Sequence, residues 1–202
     1  MQKFKKLIFS DILYYSSHTQ KIAYISLMTA LLVVCNMFFE FKLADTQFSL
    51  TIFFSALTGI VIGPIFGFVA CFLGDLVGFL YNSGGFAYAP WIGISMGLIA
   101  LTSGFIMNSF QVKSKPIVYI KLFVVCIITF SVCTVAINTT LFWISFNRMK
   151  TPYMIYLATR LFVQGQIWNN LANYLLLFLA YPFILRLKDL IKKTKNVEQS
   201  ED

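Results

Sequence analysis

The segment FSLTIFFSALTGIVIGPIFGFVACFLGDLVGFLY, residues 48–81, decides the fold class of this chain. It is almost uninterrupted apolar sequence, and its only charged side chain is Asp75. A helix needs about 20 apolar residues to cross the hydrocarbon core of a bilayer, so the segment is too long for one span. The Gly63-Pro64 pair lies near its middle, and a proline there ends one helix or begins the next. The segment therefore predicts two short membrane helices, 48–62 and 64–81.

The rest of the chain repeats this pattern of long apolar stretches separated by short polar or Pro/Gly-marked gaps. The other stretches are 23–41, 91–110, 117–146 and 153–187. The composition is 58% hydrophobic and 12% charged, with a mean hydropathy of +0.77, which a soluble domain of this size would not need. Only helices and closed barrels satisfy their backbone in lipid, and these stretches are too long and continuous for barrel strands. We therefore predict an all-α integral membrane protein with six transmembrane helices.

The charged residues near the two ends of the chain predict its orientation. They are Lys3, Lys5, Lys6 and Lys21 near the N-terminus, and Arg186, Lys188, Lys192, Lys193 and Lys195 near the C-terminus. Short flanks rich in Lys and Arg lie on the cytoplasmic side, so both termini are predicted to be cytoplasmic. We expect a single multi-pass domain, 1–202, in the cell membrane. Residues 1–20 form an amphipathic or irregular lead-in, and 188–202 form a charged, frayed tail. The net charge of +8 then reflects topology and contact with anionic membrane lipid, with no nucleic acid as a partner.

Several kinds of chemistry have no sequence signal here. The only histidine is His18, and the four cysteines lie in apolar stretches without metal-ligand spacing, where they serve as packing residues. No phosphate-binding loop is present, so ATP would have to be hydrolysed by another chain. We expect no metal, no cofactor, no catalytic residue and no enzymatic activity.

Polar side chains within the spans mark candidate functional positions because they are costly in lipid. Arg160 and Gln164 are one helical turn apart, and Trp168 continues their face. Arg160 either snorkels to the outer interface or binds an anion at the mouth of a cavity, where its planar fork suits a carboxylate. Three further residues lie in the outer halves of helices 1 and 5 and could converge with them: Asn36, Asn138 and Trp143.

The glycine-rich third helix and the loop that follows it supply the other candidates. The glycines at 67, 74 and 78 provide a face for close helix packing. Asp75 on this helix is either a structural hydrogen-bond acceptor or a direct ligand. The loop at 81–91 combines glycines with aromatic side chains, among them Tyr88. These either stack on a planar ligand or lie in the interfacial aromatic belt.

In their order along the chain, these features resemble the substrate-binding S components of energy-coupling factor (ECF) vitamin transporters, and most of all the folate-type subunits. The resemblance rests on the Gly-Pro junction with Asp75, the glycine and aromatic loop, the run NTTLFW at 138–143, and Arg160-x-x-x-Gln164. It implies a subunit that binds a vitamin from outside. Such a subunit docks with a transmembrane coupling protein and two cytoplasmic ATPases, and rotates in the membrane to release the vitamin inside.

The resemblance also implies roles for individual residues. Family members dock through an Ala-x-x-x-Ala motif in helix 1, and its nearest equivalents here involve Ser26, Ala30 and Val34. For folate, aromatic and amide groups suit the pterin, and cationic groups such as Arg160 and Lys42 suit the glutamate tail. The predicted substrate-binding residues are Arg160, Gln164, Asn138, Trp143, Lys42, Tyr88, Trp168 and Asn36.

Other functions stay open at this point. Pantothenate would use the same cationic groups with fewer aromatic surfaces, and riboflavin would not need Arg160. A self-sufficient ion-coupled carrier often shows internal repeats, and we detect no convincing repeat. An intramembrane enzyme acting on lipid would need clustered acids or a nucleophile–base pair, and Asp75 stands alone among the spans.

Overall fold

The structure is a computed structural model that describes residues 10–38, 40–43, 46–81, 87–109 and 114–201. Within these ranges, the side chains at 11, 15, 40–43, 46, 47, 115, 188 and 191–201 are outside the description. The elements, in chain order, are α1 (Asp11–Tyr15), α2 (His18–Phe38), β1 (Glu40–Leu43), β2 (Thr46–Ser49), α3 (Thr51–Ile62), α4 (Pro64–Tyr81), α5 (Pro90–Ser109), α6 (Lys115–Thr129), π1 (Phe130–Thr139), α7 (Thr140–Ser145), α8 (Tyr153–Ala158), π2 (Thr159–Val163) and α9 (Gln166–Glu201).

The helices have the length and composition of a membrane bundle. Five segments of the described chain are long and apolar enough to cross a bilayer: His18–Phe38, Pro64–Tyr81, Pro90–Ser109, Pro116–Ser145 and Gln166–Leu187. Two further apolar helices, Thr51–Ile62 and Tyr153–Val163, are shorter. The chain is thus an all-α membrane protein in its spans, while the count of six and the orientation of the termini remain predictions.

The glycines of α4 allow its neighbours to pack closely. A Cβ atom at Gly67 would lie 2.9 Å from the Cα of Gly59 on α3, and one at Gly78 would lie 2.7 Å from the Cβ of Asn36 on α2. Real Cβ atoms do not approach other atoms so closely, so α2 and α3 can contact α4 here only because these positions are glycine. The predicted small-residue face of this helix is confirmed. The turn into α4 is made by Gly63, whose φ of 105° favours glycine.

The connection between α2 and α3 differs from the prediction. A helix was expected to continue to residue 41 and the next to begin at residue 48, but α2 ends at Phe38. Strands β1 and β2 instead pair antiparallel, with Phe41 opposite Phe48. The reason is visible in the residues of β1, where Glu40 and Lys42 alternate with apolar neighbours at the strand period of two.

The last predicted span is also divided. Residues 153–187 were expected to form one helix, but Gly165 adopts a φ of 71° and separates π2 from α9. Just before this break, the Gln164 amide donates to the Thr159 carbonyl five residues earlier, at 2.9 Å. A π-helical turn holds more residues than an α-helical turn, so side-chain directions no longer follow a period of 3.6. The prediction that Arg160, Gln164 and Trp168 share one helical face is therefore wrong.

Both ends of the described chain are helical. Ser10 caps α1 by accepting the Leu13 amide at 3.2 Å, and its hydroxyl donates to the Val61 carbonyl. Ile12 and Leu13 are buried where α1 contacts α3 and α9. At the other end, the tail that was expected to fray continues as the helix α9 to Glu201. The four cysteines are free thiols and all are buried.

Candidate functional site

A partly open cavity of about 240 Å³ lies among the helices. Its polar lining residues are Asn36, Ser49, Thr51, Asp75, Ser95, Thr134, Asn138, Arg160, Gln166 and Asn169. Asn36 lies near the end of α2, Asp75 in the second half of α4, and Ser95 in the first half of α5. Because α2 and α4 run antiparallel to α5, these positions meet at one end of the bundle. The cavity therefore lies away from α1, which packs near the end of α3.

Arg160 contributes the cationic group of the cavity. Its Cζ atom lies 4.1 Å from the centroid of the Phe142 ring, which is a cation–π contact. Tyr156 is a polar neighbour of the side chain. The Nε atom of Arg160, however, is buried and has no hydrogen-bond partner among the described residues. A buried guanidinium with an unused donor is costly unless an acceptor binds it. This is the geometry that the anion-binding alternative for Arg160 requires.

An aromatic cluster packs around the Phe142 ring that contacts Arg160. The rings of Phe142 and Phe146 are 5.2 Å apart and nearly parallel. Trp91 packs edge-on against both, with centroid distances of 5.9 and 6.2 Å. Its indole Nε1 is also buried and without a hydrogen-bond partner in the described part of the chain. Of the three rings, only Phe142 lines the cavity, so the cluster forms the apolar backing of this part of the wall.

The π-helical segment π1 turns amide and hydroxyl groups towards the cavity. Within this π-helical segment, the Thr139 hydroxyl donates to the backbone carbonyl of Thr134, five residues earlier, at 2.8 Å. The Asn138 side chain accepts a hydrogen bond from the Ser95 hydroxyl at 2.9 Å, and Thr134 donates to Asn170 at 3.1 Å. These bonds hold the wall of the cavity in place, and π segments are frequent at functional sites.

Asp75 is the acidic group of the cavity lining, and Tyr88 is hydrogen-bonded to it. The Tyr88 hydroxyl donates to Oδ2 of Asp75 at 3.0 Å, and its ring packs 5.0 Å from that of Phe79. Burial raises the pKa of the Tyr88 phenol, and the neighbouring Asp75 carboxylate raises it further. Tyr88 is thus a neutral hydrogen-bond donor at ordinary pH, and it holds the carboxylate in one orientation.

Side-chain amides of α9 form hydrogen bonds with the backbone around the start of α3. Asn169 accepts the Ser49 amide at 3.0 Å, and Asn173 accepts the Phe53 amide at 2.9 Å. Asn173 also donates to the Ser49 carbonyl at 2.7 Å. Since Ser49 and Asn169 both line the cavity, these bonds tie the β2 end of the strand pair to the site.

The structure brings some of the predicted site residues together. Asn36, Asn138 and Arg160 line the same cavity, although they come from three distant parts of the chain. Tyr88 reaches the cavity wall through Asp75. Their roles in binding stay predictions, but their convergence is observed.

Four other predicted residues are not among the described residues that line this cavity. Trp143 donates its indole N–H to the Thr151 carbonyl at 2.8 Å and so closes the turn between α7 and α8. Gln164 lies at the helix break. Trp168 is 64% exposed on α9. Lys42 lies on β1 opposite Gln47, and its side chain is outside the described residues.

Several lining residues were not among the predicted ones. Ser95 and Thr134 are small hydroxyl residues, which are also common as packing residues in membrane helices. Gln166 and Asn169 follow the break at Gly165 and line the cavity. The sequence showed that amides lie within an apolar span, but it did not show towards which side of the helix they point. No group of His, Cys, Asp or Glu in the described ranges is placed to hold a metal ion.

The predicted docking residues lie on an open face of α2. Ser26, Ala30 and Val34 follow one another at intervals of four, and all three are exposed. Among the five long apolar segments, α2 has the smallest share of buried residues. This face is therefore available to lipid or to another helix.

Comparisons with known proteins agree with this architecture. No curated protein sequence matches the chain. A solved structure, described as FolT bound with folic acid, matches with a TM-score of 0.61 at 17% sequence identity, covering 79% of this chain and 91% of that one. At this identity the likeness concerns the fold. The family model described as ECF-type riboflavin transporter, S component, matches residues 16–189. Because this match covers most of the chain, the protein belongs to that family of membrane-embedded S components and has a transport role.

Proposed function

We propose that this protein captures folate for an ATP-driven ECF importer in the cell membrane. It binds the vitamin at the outer face and delivers it inward together with a transmembrane coupling protein and two cytoplasmic ATPases. The terminal flanks rich in Lys and Arg favour cytoplasmic ends. The cavity, which lies at the opposite end of the bundle, would then open outward.

The observation that carries the choice of folate is the buried Nε of Arg160 in the cavity wall. A carboxylate would satisfy this donor, and a guanidinium can bind a carboxylate through two parallel hydrogen bonds. Folate carries carboxylates on its glutamate tail. Its planar pterin and aminobenzoyl rings match the apolar side of the cavity, where Phe142 lines the wall and Trp91 packs against it.

The size of the cavity indicates how such a ligand would fit. Its volume of about 240 Å³ is below the range of roughly 300–1,000 Å³ that is typical of sites for drug-sized ligands. A molecule as long as folate would therefore extend through the opening, or neighbouring segments would move to admit it. The strand pair β1–β2 is one such segment, because its β2 end forms part of the wall through Ser49.

Riboflavin is the second candidate because the matching family is named for it. Its ring system would also suit the aromatic surface, and its hydroxyl groups would suit the amides of the wall. Riboflavin has no carboxylate, however, so it would leave Arg160 without an anionic partner. Pantothenate has a carboxylate but no planar ring, and it would leave the aromatic cluster unused.

The face of α2 that carries Ser26, Ala30 and Val34 is our proposal for docking with the coupling protein. Its support is exposure together with small side chains at a spacing of four, which allow close helix approach. Larger residues at these positions, such as Ala30→Leu, should weaken assembly with the coupling protein without changing vitamin binding.

Calorimetry on the purified protein in detergent tests the proposed substrate. Folate, riboflavin and pantothenate are titrated against the wild type and against Arg160→Ala, with Arg186→Ala, an exposed arginine on α9, as the matched control. We expect folate to bind the wild type best. Loss of a charge-assisted hydrogen bond of about 1.5–3 kcal/mol predicts folate binding roughly 10- to 150-fold weaker in Arg160→Ala only.

Other results would redirect or end the proposal. Saturable riboflavin binding without folate binding would make riboflavin the substrate. Binding of none of the three vitamins would contradict a vitamin-binding role. Uphill accumulation of a nutrient by vesicles that contain this chain alone would instead identify an ion-coupled carrier.

A further inference from the structure

The cavity wall contains a second unused hydrogen-bond donor besides that of Arg160. Asn138 lies in π1 and lines the cavity. The hydroxyl of Ser95 on α5 donates to its side-chain oxygen at 2.9 Å, and this is the only hydrogen bond that its side chain makes with the described residues. Because the amide oxygen is held by Ser95, the Nδ2 group remains for a ligand, and it offers two N–H donors.

The packing of α5 against π1 and α7 places this donor close to Arg160. Trp91 packs against Phe142, and one turn further along both segments Ser95 bonds Asn138. Residues four apart lie on the same side of a helix, so these two pairs are consecutive steps of one antiparallel contact. Asn138 is thus about 5 Å along the helix axis from Phe142. The guanidinium of Arg160 lies 4.1 Å from the centroid of that same Phe142 ring.

The acidic group of the cavity lining approaches α5 from another side. A Cβ atom at Gly93 would lie 2.9 Å from Oδ2 of Asp75, whereas the contact with Asn138 is made by Ser95. Two residues along an α-helix differ in direction by about 200°, so the Asp75 carboxylate and the Asn138 amide contact different sides of α5. The wall at Asn138 and Arg160 therefore presents unused donors of both side chains, an arrangement that suits an anionic acceptor.

We propose that Asn138 and Arg160 bind one carboxylate of the vitamin together, and that Ser95 is a positioning residue that directs the Asn138 amide nitrogen towards it. The inference rests on the proposed function and deepens it by naming a second residue that selects for an anionic vitamin. A carboxylate has about four acceptor positions, so a guanidinium that fills two of them leaves room for an amide N–H. An uncharged carboxamide in the same place would bring its own N–H donors against these donors and lose hydrogen bonds.

The test compares folate with its diamide, in which both carboxylates are replaced by uncharged carboxamides. By calorimetry, we expect the wild type to bind the diamide at least about 10-fold more weakly than folate, because hydrogen bonds to a charged group are lost. Asn138→Ala should weaken folate at least about 10-fold and the diamide much less. Binding of the diamide also shows that the variant is folded.

Asn138→Asp distinguishes a donor from an acceptor at this position. The variant has nearly the same shape and keeps an oxygen for the Ser95 hydroxyl, but it replaces the N–H donors with a negative oxygen that repels a carboxylate. We therefore expect it to weaken folate more than Asn138→Ala does, while the diamide, which carries N–H donors, binds at least as well as to the wild type. If Asn138 instead accepted a hydrogen bond from a ring N–H, Asn138→Asp would preserve folate binding, and this result would overturn the inference.

A double-mutant cycle tests the role of Ser95. Ser95→Ala should weaken folate a few-fold in the wild-type background and have no further effect in the Asn138→Ala background, because Ser95 acts through Asn138. A merely structural role of Ser95 would give the same loss in both backgrounds. Thr102→Ala is the matched control, because the Thr102 hydroxyl donates within α5 to the Leu98 carbonyl at 2.8 Å; its folate affinity should be that of the wild type.

The outcomes separate this inference from the function on which it rests. If the wild type does not bind folate, the proposed function fails and the inference fails with it. If the wild type binds folate but Asn138→Ala binds it equally well, Asn138 does not hold the carboxylate, while folate capture stands. Equal affinities of the wild type for folate and its diamide would overturn the inference in the same way.

Discussion

Replacing Asn173 by alanine should destabilise the bundle much more than its single side chain suggests. Asn173 is 0% exposed on α9, and its amide reaches two backbone groups of another part of the chain. It accepts the Phe53 amide at 2.9 Å and donates to the Ser49 carbonyl at 2.7 Å. Phe53 lies in the first turn of α3, where amides have no partner within their own helix. Asn173 therefore caps α3 from a distance.

The magnitude follows from the groups that alanine would leave unpaired. Each buried polar group that loses its partner costs about 1–3 kcal/mol. Two such groups predict a loss of about 2–6 kcal/mol in the free energy of unfolding. For a chain of this size, each kcal/mol lowers the melting temperature by about 2–4 °C, so a decrease of at least about 4 °C is expected.

The four cysteines provide the assay. All of them are buried, so a thiol-reactive fluorophore added to the protein in detergent reports unfolding as temperature rises. Leu175→Ala is the matched control, because Leu175 is on the same helix and 60% exposed; its melting temperature should change little. If Asn173→Ala melts with the wild type, or if both variants shift equally, the cross-helix cap does not stabilise α3.

Three further predictions concern packing, fluorescence and pH. Gly59→Ala should cost about 1–3 kcal/mol or prevent folding, because its Cβ would lie 1.9 Å from the Ala100 carbonyl oxygen; a wild-type melting curve would contradict this. Trp168→Phe should keep both vitamin affinity and the binding-induced change in fluorescence, whereas Trp91→Phe should lose most of that change; the opposite result would place the ligand elsewhere. The raised pKa of Tyr88 means that its contribution to stability is complete below pH ~10, the usual pKa of tyrosine, and is lost only as the pH rises through the higher folded value. The difference in melting temperature between the wild type and Tyr88→Phe should thus stay constant from about pH 6 to 9, and a difference that shrinks in this range would refute the assignment.

Part of the site was predictable because the cost of polar groups in lipid is local. Asn36, Asn138 and Arg160 stand out as polar residues within apolar stretches, and all three line the cavity. Lipid cannot satisfy such groups, so they are placed where protein or ligand can. The same argument marked Asp75 as either a helix tie or a ligand, but could not choose between them.

The rest of the site depended on the direction in which each helix points its side chains. The spacing of polar and apolar residues in the sequence did not reveal this direction. Trp168 was expected beside Arg160 and is instead exposed, while Asn169 lines the cavity. The π turn of π2 and the positive φ of Gly165 change the direction of every side chain that follows. An apolar stretch shows no sign of such a change, because its hydropathy is the same whether the turns are α or π.

What the amino-acid sequence determined by itself is the class of protein: the length and continuity of the apolar stretches require membrane helices, and the glycines of α4 predict close packing. Only the tertiary structure decided which polar groups meet. Arg160, Asp75 and Asn138 come from elements far apart in the chain, and their convergence depends on helix packing and on the break before α9. Hydrophobicity acts on each segment separately, whereas a binding site is formed by the relative directions of several segments at once.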